Sequence, residues 1–466
     1  MKIAIEGCCH GELEAIYSHI ASLEASNGYK VDLLLICGDF QAIRNERDLQ
    51  CMAVPDKYRK LGEFHKYYTG EKKAPILTIV IGGNHEASNY FWELYHGGWI
   101  APNMYFLGHA GCVQVNGVRI AGASGIFKGQ DFRNGHWERL PYNAGAMRSI
   151  YHIREFNILR LSLLSRPTIF LSHDWPQSIE HYGNLRGLIK RKPYFQRDIE
   201  TGNLGSPPMM GLLTTLKPEW WFSAHLHCRF EASVVHPGTV ATEGHGGDAG
   251  SSVVLEKNPD EIVIEDDEFG DVDPAPATEV APVSEVAPPA AVNPDEIVLD
   301  DEEEEVAKPP APPPPPLETK FLALDKCLPK RQFLEVIDVP TSIAFQNSPP
   351  TVSFDPEWLA ITRAFNPFMS MNRNPLDYPD EPTAREAVQR ELDWVKKNIF
   401  ANDDGGGDGV ELKLKLVEDV QSFVKTAPAP GEDGSSGKAQ PPHYPNPQTA
   451  AFCSMLEIEN KVDYAR

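Results

Sequence analysis

The stretch ILTIVIGGNHE, at residues 76–86, carries the two features that decide the fold. Its first six residues are apolar except for one threonine, as in a strand that is buried on both faces. Its last five residues bring two glycines, which allow close approach of the backbone, followed by Asn84, His85 and Glu86. A buried strand that ends in polar, metal-capable side chains is typical of an α/β sheet with a site at its carboxyl edge.

The same alternation extends over residues 1–256. Buried strands are predicted at residues 2–5, 32–36, 76–81, 118–121, 168–171 and 220–223. Helical patterns, for example at residues 12–23 and 59–67, lie between some of these strands. Later strands predicted at residues 229–235 and 251–256, with few helices between them, indicate a second and partly antiparallel sheet. The sequence therefore predicts a layered α/β domain in this half of the chain.

Most of these strands end in side chains that can bind a metal ion. The motifs are CCH at residues 8–10, GD at 38–39, GGNHE at 82–86, SHD at 172–174 and AHLH at 224–227. The carboxyl ends of parallel strands meet at one edge of a sheet, so we expect these side chains to converge. A single histidine beside a strand is more often a core or surface residue than a ligand. The whole series in this order predicts a metal site.

The net charge of −23 is unevenly distributed along the 466 residues. Residues 1–256 contain 25 Lys and Arg against 25 Asp and Glu, so their formal balance is zero. Residues 257–466 hold the remaining 43 − 25 = 18 basic and 66 − 25 = 41 acidic residues. An acidic total argues against nucleic-acid partners, but the N-terminal half does not share that excess.

The eight cysteines form no C-x-x-C pair, which predicts neither a zinc ribbon nor a compact disulfide framework. The first residues lack the uninterrupted apolar core of a secretory signal, and no apolar run of about 18 residues is present. We therefore expect a soluble protein with no membrane partner, in a reducing compartment such as the cytosol or the nucleus.

Beyond residue 256 the composition changes. Of the 40 prolines, 13 fall within residues 272–316, beside the acidic run at 302–305, which predicts a disordered linker over residues 257–316. The sequence NPDEIV starts twice there, at positions 258 and 293; it could add a strand to a partner's sheet or be a duplication within a spacer. Residues 317–400 are predicted to form a small C-terminal domain or to pack on the first one. Residues 401–466 are predicted to be a mostly disordered tail.

Two stretches suggest contact with RNA. An insertion at about residues 127–160 interleaves cations with rings, which suits splayed bases and phosphates, although an insertion that packs on the core would look similar. Its candidate RNA-binding residues are Phe127, Lys128, Arg133, Trp137, Arg139, Tyr142 and Arg148. A second cluster, Lys190, Arg191 and Lys192, could contact phosphates or act as a nuclear import signal. Its place inside the first domain favours the phosphates.

The series of motifs resembles that of the calcineurin-like metallophosphoesterases. Their first motif is usually Asp-x-His, whereas residues 8–10 here read CCH, with a thiol in place of the first carboxylate. That departure is a feature of lariat debranching enzymes, which are RNA 2′-5′ phosphodiesterases. Further family-like stretches are GCCHGEL at residues 7–13, GDFQ at 38–41, GGNHEAS at 82–88, LGSP at 204–207, FSAHLH at 222–227 and KFLALDKCLP at 320–329. The resemblance covers residues 1–256 and roughly 317–400.

The resemblance implies a metallophosphoesterase-type sandwich of two mixed β-sheets flanked by helices, with one or two divalent metal ions. Asp39 resembles the carboxylate that bridges two metal positions. The other ligands would be Asn84, His173 and His225 at one position, and His10 and His227 with Cys8 nearby at the other. Because a thiol is a soft ligand, the second position favours Fe²⁺, Zn²⁺ or Mn²⁺ over Mg²⁺. His85 is expected to protonate the leaving oxygen, or alternatively to support a neighbouring ligand.

The function implied by the resemblance is hydrolysis of the 2′-5′ phosphodiester at the branch point of excised intron lariats. Such a hydrolase of mRNA processing and intron turnover yields linear RNA. The expected partner is branched RNA, splicing or RNA-processing proteins could bind the acidic segment, and nuclear localisation is expected, with shuttling to the cytoplasm left open. Two alternatives remain: a metallophosphoesterase acting on another phosphodiester or a phosphoprotein, and a non-catalytic RNA-processing adaptor with a degenerate metal site.

Overall fold

Two mixed β-sheets flanked by helices make up the part of the chain that the computed structural model describes, residues 1–237, 316–345, 348–401 and 414–463. The strands are β1 Lys2–Glu6, β2 Leu33–Ile36, β3 Leu77–Val80, β4 Gly98–Ala101, β5 Met104–Phe106, β6 Ala110–Val115, β7 Val118–Ala123, β8 Ile169–Ser172, β9 Trp220–Ser223, β10 Phe230–Val235, β11 Glu318–Ala323, β12 Leu334–Asp338 and β13 Val352–Phe354. The helices are α1 Leu13–Asn27, α2 Phe64–Tyr68, α3 Ser88–Glu93, α4 Gly129–Phe132, α5 Ala144–Ser149, α6 Glu155–Ser162, α7 Leu185–Arg191, α8 Gln196–Glu200, α9 Pro207–Leu216, α10 Pro356–Phe365, α11 Glu381–Asn398 and α12 Pro447–Met455. The predicted fold class is confirmed.

The strand order explains why the metal motifs share one edge. The first sheet runs β12-β1-β2-β3-β5-β4, and the second runs β10-β11-β9-β8-β7-β6-β13. In the first sheet β1, β2 and β3 are parallel, and in the second β7, β8, β9 and β11 are parallel. Parallel neighbours end at the same edge of a sheet, so the loops that follow them emerge together.

The strands that position these loops are buried on both faces. Every residue of β2, β3 and β8 is buried, and α1 covers the first sheet with Leu13, Ile16 and Ile20. Burial on both faces fixes the strand ends, so the loops after them start from a rigid platform. Among the described helices, none is both long and apolar enough to cross a bilayer.

The six strands predicted first from the sequence agree with observed strands to within two residues at either end. Helix α1 agrees with the pattern at residues 12–23 but continues to Asn27, where Gly28 ends it with a left-handed φ of 68°. The helix predicted at residues 59–67 is shorter and begins only at Phe64. The strand predicted at residues 251–256, and the predicted linker apart from its last residue, lie outside the described residues.

The C-terminal segment supplies strands to both sheets. Strand β11 lies between β9, to which it is parallel, and β10, to which it is antiparallel. Strand β12 pairs with β1, and β13 pairs with β6. The segment also packs tightly on the first motif, because a Cβ added to Gly7 would lie 2.1 Å from the carbonyl oxygen of Asp325. Residues 317–400 therefore form part of the scaffold of both sheets.

Residues 414–463 differ from the expected, mostly disordered tail. Val417, Phe452 and Leu456 are buried. The side chain of Gln448 makes two hydrogen bonds to the backbone of Trp99, accepting from its N–H and donating to its carbonyl oxygen, each at 2.8 Å. A few buried apolar side chains and amide groups that satisfy the backbone of the first domain order this segment. Its proline- and glycine-rich composition concealed those long-range contacts.

Candidate metal centre

Side chains from the strand-end loops converge at the carboxyl edges of the two sheets. Ligand atoms of Cys8, His10, Asp39 and His227 all lie within 4.8 Å of one another. Four such groups at that spacing can share one cation, and together they offer a thiol, two imidazole nitrogens and a carboxylate. The loops after β1, β2 and β9 thus contribute to a single cluster.

Asp39 lies at the centre of this cluster. Its Oδ2 is 3.7 Å from Nε2 of His10, and its Oδ1 is 3.4 Å from Nε2 of His173. The backbone N–H of His85 donates to Oδ1 at 2.9 Å and holds the carboxylate in this orientation. Each carboxylate oxygen therefore faces a different histidine, which is the arrangement needed to bridge two cations.

Asn84, His173 and His225 surround the Oδ1 side of that carboxylate. Nε2 of His173 is 3.2 Å from Oδ1 of Asn84, and the ring centres of His173 and His225 are 5.0 Å apart. Nδ1 of His173 lies 2.8 Å from the carbonyl oxygen of Cys37, and a carbonyl can only accept, so Nδ1 carries the proton. In the neutral ring the lone pair is therefore on Nε2, which faces the site as in a metal-binding histidine.

His10, His227 and Cys8 surround the Oδ2 side. The Nε2 atoms of His10 and His227 are 3.4 Å apart, and Sγ of Cys8 accepts the backbone N–H of His225 at 3.2 Å. Burial and then the charge of Asp39 raise the pKa of the Cys8 thiol, so a thiolate there needs a cation beside it. The geometry allows Cys8 to ligate directly.

Four of the candidate ligands adopt a left-handed backbone conformation. The φ angle is 46° at His10, 46° at Asp39, 60° at His225 and 47° at His227. Each such residue costs about 1–3 kcal/mol, and the strain persists only where the surrounding structure enforces it. Gly83 shows how little space remains, because a Cβ there would lie 2.2 Å from Oδ1 of Asp39. The loop backbones are thus bent to direct these side chains into the cluster.

Electrostatic surroundings set the protonation states of the cluster. Burial raises the pKa of Asp39, but His173, His85 and His10 outweigh burial and hold that pKa well below its usual value. Burial, with His173 beside it, lowers the pKa of His225 to about 3. Burial lowers the pKa of His173, but Asp39 and the carbonyl group of Cys37 outweigh burial and raise it above its usual value. The ionised Asp39 and the neutral His225 are in the forms that bind metal cations, and His173 would bind one after losing its second proton.

His85 lies at the rim of the cluster. Its side chain is 24% exposed, its Nδ1 is 3.9 Å from Oδ2 of Asp39, and its ring centre is 5.5 Å from that of His10. It is outside the group of four whose ligand atoms lie within 4.8 Å. The ring can therefore reach a molecule bound over the cluster while its backbone stays tied to Asp39. Its role as a proton donor stays a prediction.

Glu86 supports the metal centre, although the sequence motif GGNHE predicted no role for it. Its carboxylate is buried and accepts the backbone N–H groups of Phe40 (2.8 Å), Gln41 (2.7 Å) and Gly83 (2.9 Å). These bonds tie the loop after β2 to the loop after β3. Burial, followed by the charge of Asp39, raises the pKa of Glu86 to about 7.

The insertion at residues 127–160 presents some of its candidate RNA-binding residues to solvent. Arg133 and Arg148 are exposed, and Phe127, Lys128 and Trp137 are partly exposed. The insertion starts beside the metal centre, because the backbone N–H of Phe127 donates to the Asp174 carboxylate at 3.2 Å. These five residues stay candidates for RNA contact.

Tyr142 differs from the expectation that it contacts RNA, and Arg139, which is partly exposed, is also engaged with the rest of the chain. Tyr142 is 5% exposed, and its backbone makes two hydrogen bonds with the side chain of Gln440. The guanidinium of Arg139 donates to three backbone carbonyl groups, including that of Met371 at 2.7 Å. The Tyr142 backbone and the Arg139 side chain hold the insertion against the C-terminal segment, and the buried Tyr142 ring has little surface left for a base.

The interior of the insertion is a buried polar network. The fully buried guanidinium of Arg154 pairs with Glu138, and Nδ1 of His152 lies 2.7 Å from the Asp131 carboxylate. These residues therefore pack on the core, which is the alternative to RNA contact that the sequence left open. The cations and rings of this stretch therefore divide between the core and the surface.

Lys190, Arg191 and Lys192 lie at the C-terminal end of α7. Lys190 and Arg191 are exposed and Lys192 is partly exposed. The guanidinium of Arg191 donates to the carbonyl oxygen of Arg229 at 3.0 Å, two residues beyond His227. The cluster is thus adjacent to the loop that carries a candidate ligand.

Comparisons with known proteins match both halves of the chain. A family model described as calcineurin-like phosphoesterase matches residues 1–229, and one described as the lariat debranching enzyme C-terminal domain matches residues 316–461. The chain is similar to the lariat debranching enzyme of Drosophila melanogaster, at 44% identity over 99% of this chain and 78% of that protein. It is 40% identical to lariat debranching enzyme A of Xenopus laevis, over 98% of this chain and 70% of that protein. It is 39% identical to the lariat debranching enzyme of Homo sapiens, over 98% of this chain and 69% of that protein.

Proposed function

The chain belongs to the lariat debranching enzyme family, and we propose that its metal centre hydrolyses the 2′-5′ phosphodiester at the branch point of excised intron lariats, yielding linear RNA. The protein is accordingly a phosphodiesterase and a hydrolase. The observation that carries the proposal is the convergence of Cys8, His10, Asp39 and His227 within 4.8 Å, with His85 at their rim. The thiol within that cluster distinguishes it from a site whose first motif is Asp-x-His.

Cleavage of matched substrates tests this function. We expect the metal-loaded protein to cleave a synthetic branched RNA at its 2′-5′ bond and to leave the same sequence with only 3′-5′ bonds intact. Equal turnover of a simple aryl phosphodiester or a phosphopeptide would indicate a broader metallophosphoesterase. Absence of any turnover in protein that contains metal would indicate an adaptor.

The cluster fits divalent cations, since it offers an ionised carboxylate, imidazole nitrogens, an amide oxygen and a thiol. Asp39 would bind on both sides of the centre. The remaining ligands would be Asn84, His173 and His225 on the first side, and Cys8, His10 and His227 on the second. When bound, the cations polarise the phosphoryl oxygens and make a water molecule nucleophilic at neutral pH.

The chain itself positions the reacting groups and moves a proton. Asp39 fixes the backbone of His85, since its Oδ1 accepts that N–H at 2.9 Å. The partly exposed imidazole then donates a proton to the oxygen that leaves phosphorus, which removes the negative charge from the leaving group. Glu86 keeps the two loops in register through its three backbone hydrogen bonds.

We infer that Cys8 makes its side of the centre unfavourable for Mg²⁺ and favourable for Fe²⁺, Zn²⁺ or Mn²⁺. In a Cys8→Asp variant a hard carboxylate replaces the thiol. The ratio of kcat/KM in Mg²⁺ to kcat/KM in Zn²⁺ is expected to rise about tenfold, equivalent to about 1.4 kcal/mol of altered metal preference. Activity with each metal, together with metal content by mass spectrometry, measures this change.

Cys9→Ala is the matched control for that experiment. Cys9 is also a buried thiol, but it lies outside the group of four ligand atoms. We expect its metal preference to match that of the unsubstituted protein. A Cys8→Asp variant that retains metal and keeps the original preference would contradict ligation by Cys8.

Replacing Lys190, Arg191 and Lys192 with alanine tests whether they bind RNA phosphates. Each phosphate contact to a single strand contributes about 0.7 to the slope of log Kd against log salt, so the slope should fall by about 2. The control removes three exposed cations of α11, Arg390, Lys396 and Lys397, and should leave the slope unchanged. An unchanged slope in the first variant would remove these residues from the interface.

We also propose that the protein acts in the nucleus, with shuttling to the cytoplasm, and that the acidic segment at residues 257–316 binds splicing or RNA-processing proteins. All eight cysteines are free and buried, which suits a reducing compartment. Imaging of the tagged full chain tests the location, and exclusion from the nucleus would contradict it. Co-purification with and without the segment tests the partners, and an identical protein set would rule the segment out.

A further inference from the structure

Residues 182–197, which follow β8 and include α7, form a surface that we call the α7 face. Its cations are Arg186, Lys190, Arg191, Lys192 and Arg197, and its exposed aromatic residues are Tyr182 and Tyr194. The stretch contains five cations and no acidic residue. Within the described part of the chain none of the five forms an ion pair with Asp or Glu; the neighbouring ion pairs are His181–Glu180 and Arg229–Glu231. Within the described residues the positive charge of this face is therefore not neutralised by a direct ion pair.

The α7 face also exposes two aromatic rings. Tyr182 is 50% exposed and Tyr194 is 37% exposed, and they are the only aromatic residues among the large exposed apolar side chains of the described chain. Nζ of Lys192 lies 5.8 Å from the centre of the Tyr194 ring. Exposed rings among unpaired cations are the combination that binds single-stranded nucleic acid, by stacking of bases and contact with phosphates.

This face adjoins the His10 and His227 side of the metal centre. Arg191 is bonded to the backbone of Arg229, as described above. Lys326 places a further cation beside the first metal motif, because it forms a parallel β-bridge with Cys8 and the N–H of Cys327 donates to the Cys8 carbonyl oxygen at 3.1 Å. An RNA strand that crosses the α7 face therefore reaches the cluster of candidate metal ligands.

The α7 face and the insertion at residues 127–160 adjoin different strands of the second sheet. Gly183 pairs with Ala232 in β10, which is the edge strand, whereas the insertion follows β7. Four neighbour steps, through β11, β9 and β8, separate β10 from β7. At about 4.8 Å per step the separation is roughly 19 Å. The metal centre, at the ends of β8 and β9, lies between them.

We propose that the α7 face binds one single-stranded arm of the branched RNA, by stacking on Tyr182 and Tyr194 and by contact with phosphates, while the insertion binds a different arm. The inference rests on the proposed function. A branch nucleotide joins three arms, whereas a nucleotide in linear RNA joins two. Surfaces on two sides of the reacting phosphate therefore let the protein hold the branch by more than one arm.

Equilibrium binding to arm-truncated RNAs tests this inference. Four hydrolysis-resistant branched RNAs, with a phosphorothioate at the branch, carry either all arms or one arm cut to a single nucleotide. The full chain with its metal is compared with Tyr182→Ala/Tyr194→Ala and with the insertion variant Arg133→Ala/Arg148→Ala, all at exposed positions. Fluorescence anisotropy gives Kd, and 2-aminopurine placed along each arm reports stacking on a ring.

The tyrosine variant should bind the complete branched RNA about tenfold more weakly than the unsubstituted protein does. On the RNA that lacks the arm bound by the α7 face, the two proteins should have the same Kd. The insertion variant should match the Kd of the unsubstituted protein on a different truncated RNA, the one that lacks the arm bound by the insertion. An unchanged Kd for the complete RNA, or a loss of the same size on all truncated RNAs, would overturn the inference and leave the α7 face to a protein partner. Failure of the unsubstituted protein to cleave unmodified branched RNA would instead contradict the proposed function, since binding is measured independently.

Discussion

Replacing His85 with alanine should lower kcat on branched RNA by about 10²–10⁴-fold, the usual contribution of a positioned general acid. The metal content should stay at that of the unsubstituted protein, because the imidazole lies outside the group of four ligand atoms and is 3.9 Å from Oδ2 of Asp39. The backbone N–H that holds Asp39 remains in the variant. Single-turnover cleavage and metal analysis on the same preparation measure both quantities.

The measurement also separates proton donation from a supporting role. If His85 only supports a ligand, the variant loses metal, and added metal restores turnover. If His85 donates the proton, turnover stays low at saturating metal and the limb of the kcat–pH profile that reports the acid disappears. His19→Ala, at an exposed position of α1, is the control and should keep full activity. Full activity of the His85 variant would rule out the acid role.

A chain that ends at residue 237 should not fold into an active enzyme. Truncation removes β11, which lies between β9 and β10 in the second sheet. It also removes β12, the edge strand that pairs with β1 in the first sheet. It also removes the Asp325 carbonyl that accepts the Cys8 N–H at 3.4 Å, next to the first metal motif. Loss of an interior strand exposes the backbone and apolar faces of its neighbours, so we expect no cooperative thermal transition by circular dichroism.

The matched variant for this test keeps the C-terminal strands and replaces residues 238–315 with a short Asn-Gly turn. Val235 pairs with Glu318, and the N–H of His236 donates to the Leu317 carbonyl oxygen at 2.8 Å, so β10 and β11 already form the two arms of a hairpin. This variant should unfold within a few degrees of the full chain and cleave branched RNA with the same kcat/KM. A folded, active product of truncation at residue 237 would contradict the structural role of β11.

The sequence predicted the strands and the metal motifs well because both depend on local patterns. Apolar runs of four to six residues mark strands buried on both faces, and the glycines at positions 38 and 83 mark loops without room for a side chain. The sequence could not show that β11 inserts between β9 and β10, because strand pairing over long separations leaves no local trace. The tail was misjudged for the same reason, since its few buried side chains find their partners in the first domain.

The amino-acid sequence by itself determined the fold class and the kinds of ligand at each strand end, including the thiol of Cys8, since residue identity and order set these. Only the tertiary structure decided that Asp39 presents one oxygen to His10 and the other to His173. It also decided that Tyr142 is enclosed while Tyr194 faces solvent. Both rings look alike in the sequence, because exposure depends on which distant segments pack beside a residue, and that is a property of the folded chain alone.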